Sequence, residues 1–200
     1  MATLKKIASV LTLVLMPLAA NAMPSITNGS FETGDLTGWS GTATSDGEGL
    51  NPFGTTYGSG MDGAHWMWLA GYETGRTLEQ TVAGLSAGTT YRVRFIMASE
   101  YINNDQLNLS VDGGPATLFT APPVSGTFWD NWVEKTYDFT ASGASALIQF
   151  SSFGLNAAGY DVGLDNVRIE AVTTSVPEPA SLGLLGLGLT GMFFGKRKKS

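Results

Sequence analysis

Seventeen carboxylates, five tryptophans and a single histidine, His65, are the side chains of this 200-residue chain that could carry chemistry, and cysteine is absent. A Ser-His-Asp arrangement would have to use His65, yet no G-x-S-x-G nucleophile elbow is present to serve it. One histidine and no thiolate rule out the usual zinc sets. Carboxylate pairs for glycoside hydrolysis could be drawn from so many acids, but the chain has no long loops to enclose a substrate cleft. The spacings Asp46/Glu48 and Glu100/Asp105 read as solvated turn acids, and a lone histidine reads as a satisfied, half-buried side chain. The expectation is a protein that binds and does not catalyse.

Binding by tryptophan is the stronger signal. Flat ring faces pack against apolar faces of ligands, and Asn, Gln and Asp side chains take the polar groups around them. In His65–Ala70, Trp66 and Trp68 fall on one face while His65, Met67 and Leu69 fall on the other. Met67 and Leu69 belong in a core, so Trp66 and Trp68 are assigned to the opposite face. Trp129 and Trp132 bracket Asp130-Asn131 after a Pro122-Pro123 loop, which places at least one ring near the surface. The ligand candidates are therefore Trp66, Trp68, Trp129 and Trp132, and Trp39 is assigned to the core.

The elements that must position these residues are strands. Tyr91, Val93, Phe95 and Met97 alternate with Arg92 and Arg94; Leu107, Leu109 and Val111 alternate with Asn108 and Ser110. Val133, Tyr137 and Phe139 oppose Glu134, Thr136 and Asp138, and Ala146, Ile148 and Phe150 oppose Gln149 and Ser151. A period of two over four segments separated by Gly/Ser/Asn/Asp/Pro clusters has no helical reading. Further strands are expected at Ile26–Phe31, Trp39–Thr44, His65–Ala70, Thr77–Val82, Thr117–Thr120 and Val162–Glu170. That count predicts an all-β fold, a two-sheet antiparallel β-sandwich of jelly-roll type. In the last strand Val162 and Leu164 are in phase, but Val167 and Ile169 have slipped by one, which predicts a bulge at Asp165-Asn166.

The two ends of the chain are of another character. Lys5 and Lys6, an apolar stretch from Ile7 to Leu18 and Ala20-Asn21-Ala22 form a cleavable signal peptide, residues 1–22. At the other end Val176-Pro177-Glu178-Pro179 precedes an uncharged Gly/Leu-rich run over 180–195 and then Lys196-Arg197-Lys198-Lys199. A run of that length is at the short edge of a transmembrane helix, and the cations after it act as a cytoplasmic stop. In this order the three parts resemble the PEP-CTERM sorting signal, which implies an exosortase-type sorting protease as partner. The implied path is an inner-membrane-anchored precursor with a periplasmic domain, then the cell surface or extracellular matrix. Residues 173–200 form this signal and residues 23–172 the one exported domain.

Within 23–172 stand five basic and 16 acidic residues, a formal charge of −11 against −6 for the whole chain. Such a surface repels phosphate backbones, which excludes nucleic acid as a partner. It suits neutral ligands and cations.

Three segments of this domain carry a second resemblance. Asn28-Gly29-Ser30-Phe31-Glu32 with Gly38-Trp39, then Leu78-Glu79-Gln80-Thr81-Val82 with Gly84-Leu85 and Gly88-Thr89-Thr90-Tyr91, then Gly163-Leu164-Asp165-Asn166-Val167-Arg168-Ile169 occur in sequence. Together they resemble carbohydrate-binding modules with the galactose-binding-like jelly roll. The resemblance implies sugar binding, and a structural calcium held by a Glu near the first strand and an Asp near the last; Glu32 and Asp165 stand at those positions. Two carboxylates with backbone carbonyls would suffice for the 6–8 oxygens calcium takes. Equally, both could be turn acids that accept backbone N–H bonds. Two functions remain open on the sequence: a carbohydrate-binding-like protein associated with exopolysaccharide, or a structural matrix or adhesion protein with no sugar site.

Overall fold

A computed structural model of the chain describes residues 23–44, 49–50, 61–69, 75–100, 105–126, 129–153 and 161–172. The signal peptide, the sorting segment with Val176–Pro179, and the acids Asp46 and Glu48 lie outside the described residues. Among the described residues nine strands follow one another: β1 (Gly49–Leu50), β2 (Met67–Leu69), β3 (Thr77–Ala83), β4 (Thr90–Ser99), β5 (Gln106–Val111), β6 (Thr117–Thr120), β7 (Val133–Thr140), β8 (Ser145–Ser152) and β9 (Val162–Ala171). They pair antiparallel into a five-stranded sheet, order β1-β2-β9-β4-β7, and a four-stranded sheet, order β3-β8-β5-β6. The fold is the β-sandwich that the alternation demanded. Among the described residues no helix is long and apolar enough to cross a membrane.

Alternation fills the core. Val93, Phe95 and Met97 of β4, Leu107 and Leu109 of β5, Ile148 and Phe150 of β8 and Leu164 of β9 are fully buried between the sheets. Each such side chain contributes roughly 1.5–3 kcal/mol of hydrophobic burial. Trp39 is in this core as well, stacked on Phe31 with ring centroids 5.6 Å apart.

Two expected strands are not strands. Over Ile26–Phe31 the chain makes tight turns, with Asn28 and Phe31 at φ 50° and 56°. An Asn-Gly-Ser run favours such turns, and the alternation there was too short to outweigh them. Over Trp39–Thr44 only the single bridge Ser40↔Glu79 forms, followed by a 3₁₀ turn at Thr42–Thr44. The Thr42 and Thr77 side chains and backbones bond each other instead of extending a ladder. The segment around 27 is held by a side chain: the Thr27 N–H donates to Gln80 Oε1, and Gln80 Nε2 donates to the Thr27 carbonyl.

The slip in β9 is a bulge. Arg168 pairs with Arg94 and Asp165 with Ile96, so Asn166 and Val167 together oppose Phe95. Asn166 adopts φ 48°, the left-handed conformation that asparagine tolerates better than most residues. The insertion returns Val167 to the core, where it is 2% exposed, and leaves Arg168 outside.

Candidate functional site

β4 and β9 give the five-stranded sheet an outer face of two unlike halves. At the Val162 end of β9, Ile96 and Ala98 of β4 meet Trp66, Trp129 and Trp132 in an apolar cluster separate from the main core, with Met61 and Trp68 packed against it. Met67 and Leu69 point into the main core, so Trp66 and Trp68 do share the opposite face. Gly163 makes the close approach possible, since a Cβ there would stand 2.7 Å from Trp132 and 3.1 Å from Trp129. The three rings are not a flat platform. Trp66 meets Trp129 at 4.4 Å and 50°, and Trp132 at 5.5 Å and 70°. They cover one another, leaving Trp66, Trp129 and Trp132 at 3%, 7% and 9% exposure, while Trp68 is half-buried.

Two details set this cluster apart from ordinary packing. Trp129 sits at φ 60°, a conformation disfavoured for a bulky residue. The turn it opens is pinned by Asn131, whose side-chain NH₂ donates to the Pro122 carbonyl. Trp66 Nε1 is buried with no hydrogen-bond acceptor, and Asn131 Oδ1 is buried with no donor. Buried polar atoms normally find partners, so each is an open valence at the cluster.

Beside the cluster lie the two acids singled out in the sequence, joined by a loop that sequence reasoning passed over. The Asp62 N–H donates to Asp165 Oδ2 at 2.8 Å, and the Ala64 and His65 N–H groups donate to Glu32 Oε1 at 2.8 and 2.7 Å. Residues 62–65 thus bridge Asp165 to Glu32. Gly63, at φ 75°, lies so close to the Glu32 carboxyl that a Cβ would collide with it. His65 Nδ1 stands 3.7 Å from Glu32 Oε2.

The acids differ in electrostatics. Asp165 is fully buried. Its desolvation pushes the carboxyl up to about 7; N–H bonds from Asp62 and Asn166 pull the other way, and the charges of Asp62 and Glu32 push it further up. For Glu32, desolvation is opposed and outweighed by the His65 and Ala64 N–H bonds and by His65 itself, so its carboxyl lies below the ordinary range. Among the described residues no group of three or more His, Cys, Asp or Glu is placed to hold a metal. Carboxylate oxygen is the donor type a hard cation takes, but three of the four oxygens here, Asp165 Oδ1 and Oδ2 and Glu32 Oε1, accept backbone N–H bonds as turn acids do, and the His65 imidazole stands against the fourth.

The other half of the outer face is ionic. Arg92 makes a two-pronged bond to Asp138 at 2.6 and 2.7 Å. Arg94 bonds Glu170 at 2.6 Å and Glu134 at 2.9 Å, and Arg168 bonds the second oxygen of Glu134 at 2.6 Å. This ladder gathers three of the domain's five basic residues. The alternation of β4 and β7 signalled it, as Arg92, Arg94, Glu134 and Asp138 all occupy out-facing positions. Nothing local signalled Asp62 and Gly63, whose partners are 103 and 31 residues away in the chain.

Residues 175–198 match the PEP-CTERM protein-sorting motif. No curated protein matches the chain. Among solved structures, the enzymatically active domain of bacteriophage CBA120 tailspike protein 4 is similar with a TM-score of 0.52 at 15% identity, over 75% of this chain and 22% of that one. TmCBM61, solved in complex with β-1,4-galactotriose, aligns at 23% identity over 72% of this chain and 95% of that one, with a TM-score of 0.49. A family 16 carbohydrate-binding module aligns at 20% identity over 72% and 98%, also with a TM-score of 0.49. The tailspike likeness is one of fold alone, here on a chain that carries a PEP-CTERM sorting motif at residues 175–198.

Proposed function

We propose that this protein is exported, non-catalytic and carbohydrate-binding, associated with exopolysaccharide, and that its ligand surface is the aromatic half of the outer sheet face. The observation that carries the reading is the placement of Trp66, Trp68, Trp129 and Trp132 together outside the main core, with an unpaired indole N–H and an unpaired amide oxygen among them. A sugar would lay an apolar C–H face against the half-buried Trp68 and the ring edges still exposed, and its hydroxyls would reach the buried Trp66 Nε1 and Asn131 Oδ1 only as the rings part. The sorting motif supports export and handling by an exosortase-type protease, through a membrane-anchored precursor whose anchor is residues 180–195. Calcium belongs to the same proposal as a structural ion held by Glu32 and Asp165. When bound it would supply the positive charge that the buried Asp165 carboxylate lacks, and it would tie the segment before β1 to β9.

The test is a glycan array probed with residues 23–172, followed by titration of the best neutral oligosaccharide. Truncating a ring that touches ligand should weaken binding by about 1–3 kcal/mol, roughly ten- to a hundredfold. Affinity should hardly respond to salt, because stacking on neutral sugar has no ion pairs to screen. Unchanged binding after substitution of all four tryptophans in folded protein would overturn the assignment. One observation favours a second reading, a matrix or adhesion protein with no sugar site: the rings are tilted and largely cover one another. Binding that collapses at high salt, or none on the array, would decide for it.

A further inference from the structure

Both ends of the exported domain leave it at one pole. Met23 and Pro24 line a surface hollow together with Gly84, Ser86 and the last β9 residues, Glu170 and Ala171. The Val172 N–H then donates to the Thr90 carbonyl at the start of β4. The β3–β4 and β7–β8 turns close the same pole, through Leu85 N–H to Ala144 and Gly88 N–H to Ala141. The tryptophan cluster lies toward the other pole, around Gly163. From Gly163 to Ala171 β9 runs eight residues, roughly 26 Å at 3.3 Å per residue.

We propose that the membrane-held precursor stands on the Met23/Ala171 pole and presents the tryptophan pole away from the bilayer, so that its binding surface is open before the tail is removed. The proposal rests on the export reading. The signal peptide ends at the residue before Met23, and only residues 173–179 separate Val172 from the apolar run. Seven residues reach at most about 25 Å, which keeps the Ala171 end within that distance of the lipid and leaves charge to set the tilt. Charge opposes lying flat: the domain carries −11, and an anionic leaflet repels it. An upright domain keeps most of that charge beyond the Debye length, about 8–10 Å at physiological salt.

The absence of cysteine makes the test direct. Ser142, exposed in the β7–β8 turn, and Ser125, exposed in the loop before Trp129, mark the two poles. Full-length precursor carrying Ser142→Cys or Ser125→Cys is dye-labelled and reconstituted into vesicles containing an acceptor-labelled headgroup lipid, zwitterionic in one set and anionic in the other. Energy transfer should be about threefold weaker from position 125 than from 142, a contrast set by the ~26 Å between the poles. That contrast should persist or sharpen in anionic vesicles. Equal transfer from the two positions, or stronger transfer from 125, overturns the proposal. No ligand is present, so a failure of the sugar reading leaves this result untouched. If a glycan is found, tethered and released forms should bind it equally, and a tenfold loss in the tethered form would also count against an open pole.

Discussion

The two halves of the outer sheet face share strands, length and solvent, yet they are held together by opposite physics. Around Gly163 three tryptophans exclude water from one another and from β4. Around Arg168 three guanidiniums and three carboxylates stay in water and bond across the strands. The bulge at Asn166 stands between them: it shifts β9 by one residue, so that Val167 turns into the core while Arg168 faces solvent. Area removed from water is worth far more than an exposed ion pair, so the aromatic half should be rigid and costly to perturb and the ionic half cheap.

The largest effect that would break this contrast is loss of a central ring. Trp66→Ala removes the indole that touches both Trp129 and Trp132 and leaves a cavity, which costs about 3–5 kcal/mol. Thermal melting of the exported domain should show a drop on the order of 10 °C. A loss of a degree or two would mean that the cluster is loosely packed and no different from the ladder.

The next effect is electrostatic and belongs to the metal-free domain. Asp165 titrates near 7 in the fold against 3.8 when exposed, so the fold holds its proton more tightly than the unfolded chain does. Its contribution is full below about pH 4, is lost as pH rises through 7, and is flat above; the span is on the order of 4 kcal/mol. In chelator, melting temperature should therefore fall between pH 5 and pH 8, and Asp165→Asn should flatten that part of the profile. Calcium should reverse the fall, by about 2.7 kcal/mol at a hundredfold excess over Kd. Identical melting with and without chelator at pH 8 would remove the ion from the proposal.

Gly163→Val comes third. Gly163 has no left-handed φ, so valine suits its backbone, and the whole cost is collision with Trp132 and Trp129. Overpacking of this kind costs about 1–3 kcal/mol. Pairing it with Trp132→Leu should return part of the loss, since the two changes share one contact. Strict additivity would show that the rings do not lean on β9.

These particulars also show what was legible in advance. Period-two alternation located β4, β5, β7 and β8 because a strand between core and solvent must alternate, and the further strands expected at Thr77–Val82, Thr117–Thr120 and Val162–Glu170 are β3, β6 and β9. It misplaced Ile26–Phe31, where backbone turns won over a short apolar pattern, and Trp39–Thr44, where threonine side chains bond the neighbouring strand. The slip at Val167 announced the bulge, since one extra residue is the only way to bring both Leu164 and Val167 inward. The face of Trp66 and Trp68 was legible by the same parity. The burial of Trp66 was not, because it depends on Trp129 and Trp132 arriving from the loop before β7 and on Gly163 of β9. Asp62 was illegible for the same reason: its backbone N–H, not its side chain, does the bonding.

The smallest expected effect sharpens the comparison from the ionic side. Arg94 bonds two carboxylates on different strands, yet its side chain is still 29% exposed, and all its partners face water. Arg94→Gln keeps the aliphatic stem over the sheet and removes the charge. Coulomb attraction at this exposure is screened, and holding long side chains in one geometry costs rotamer entropy, so melting temperature should move by about 2 °C or less. The loss should shrink further in high salt. Glu134 still bonds Arg168, so that rung of the ladder survives without Arg94. A drop as large as that for Trp66→Ala would mean that the ladder organises the sheet, and that the two halves of this face are held by one network after all.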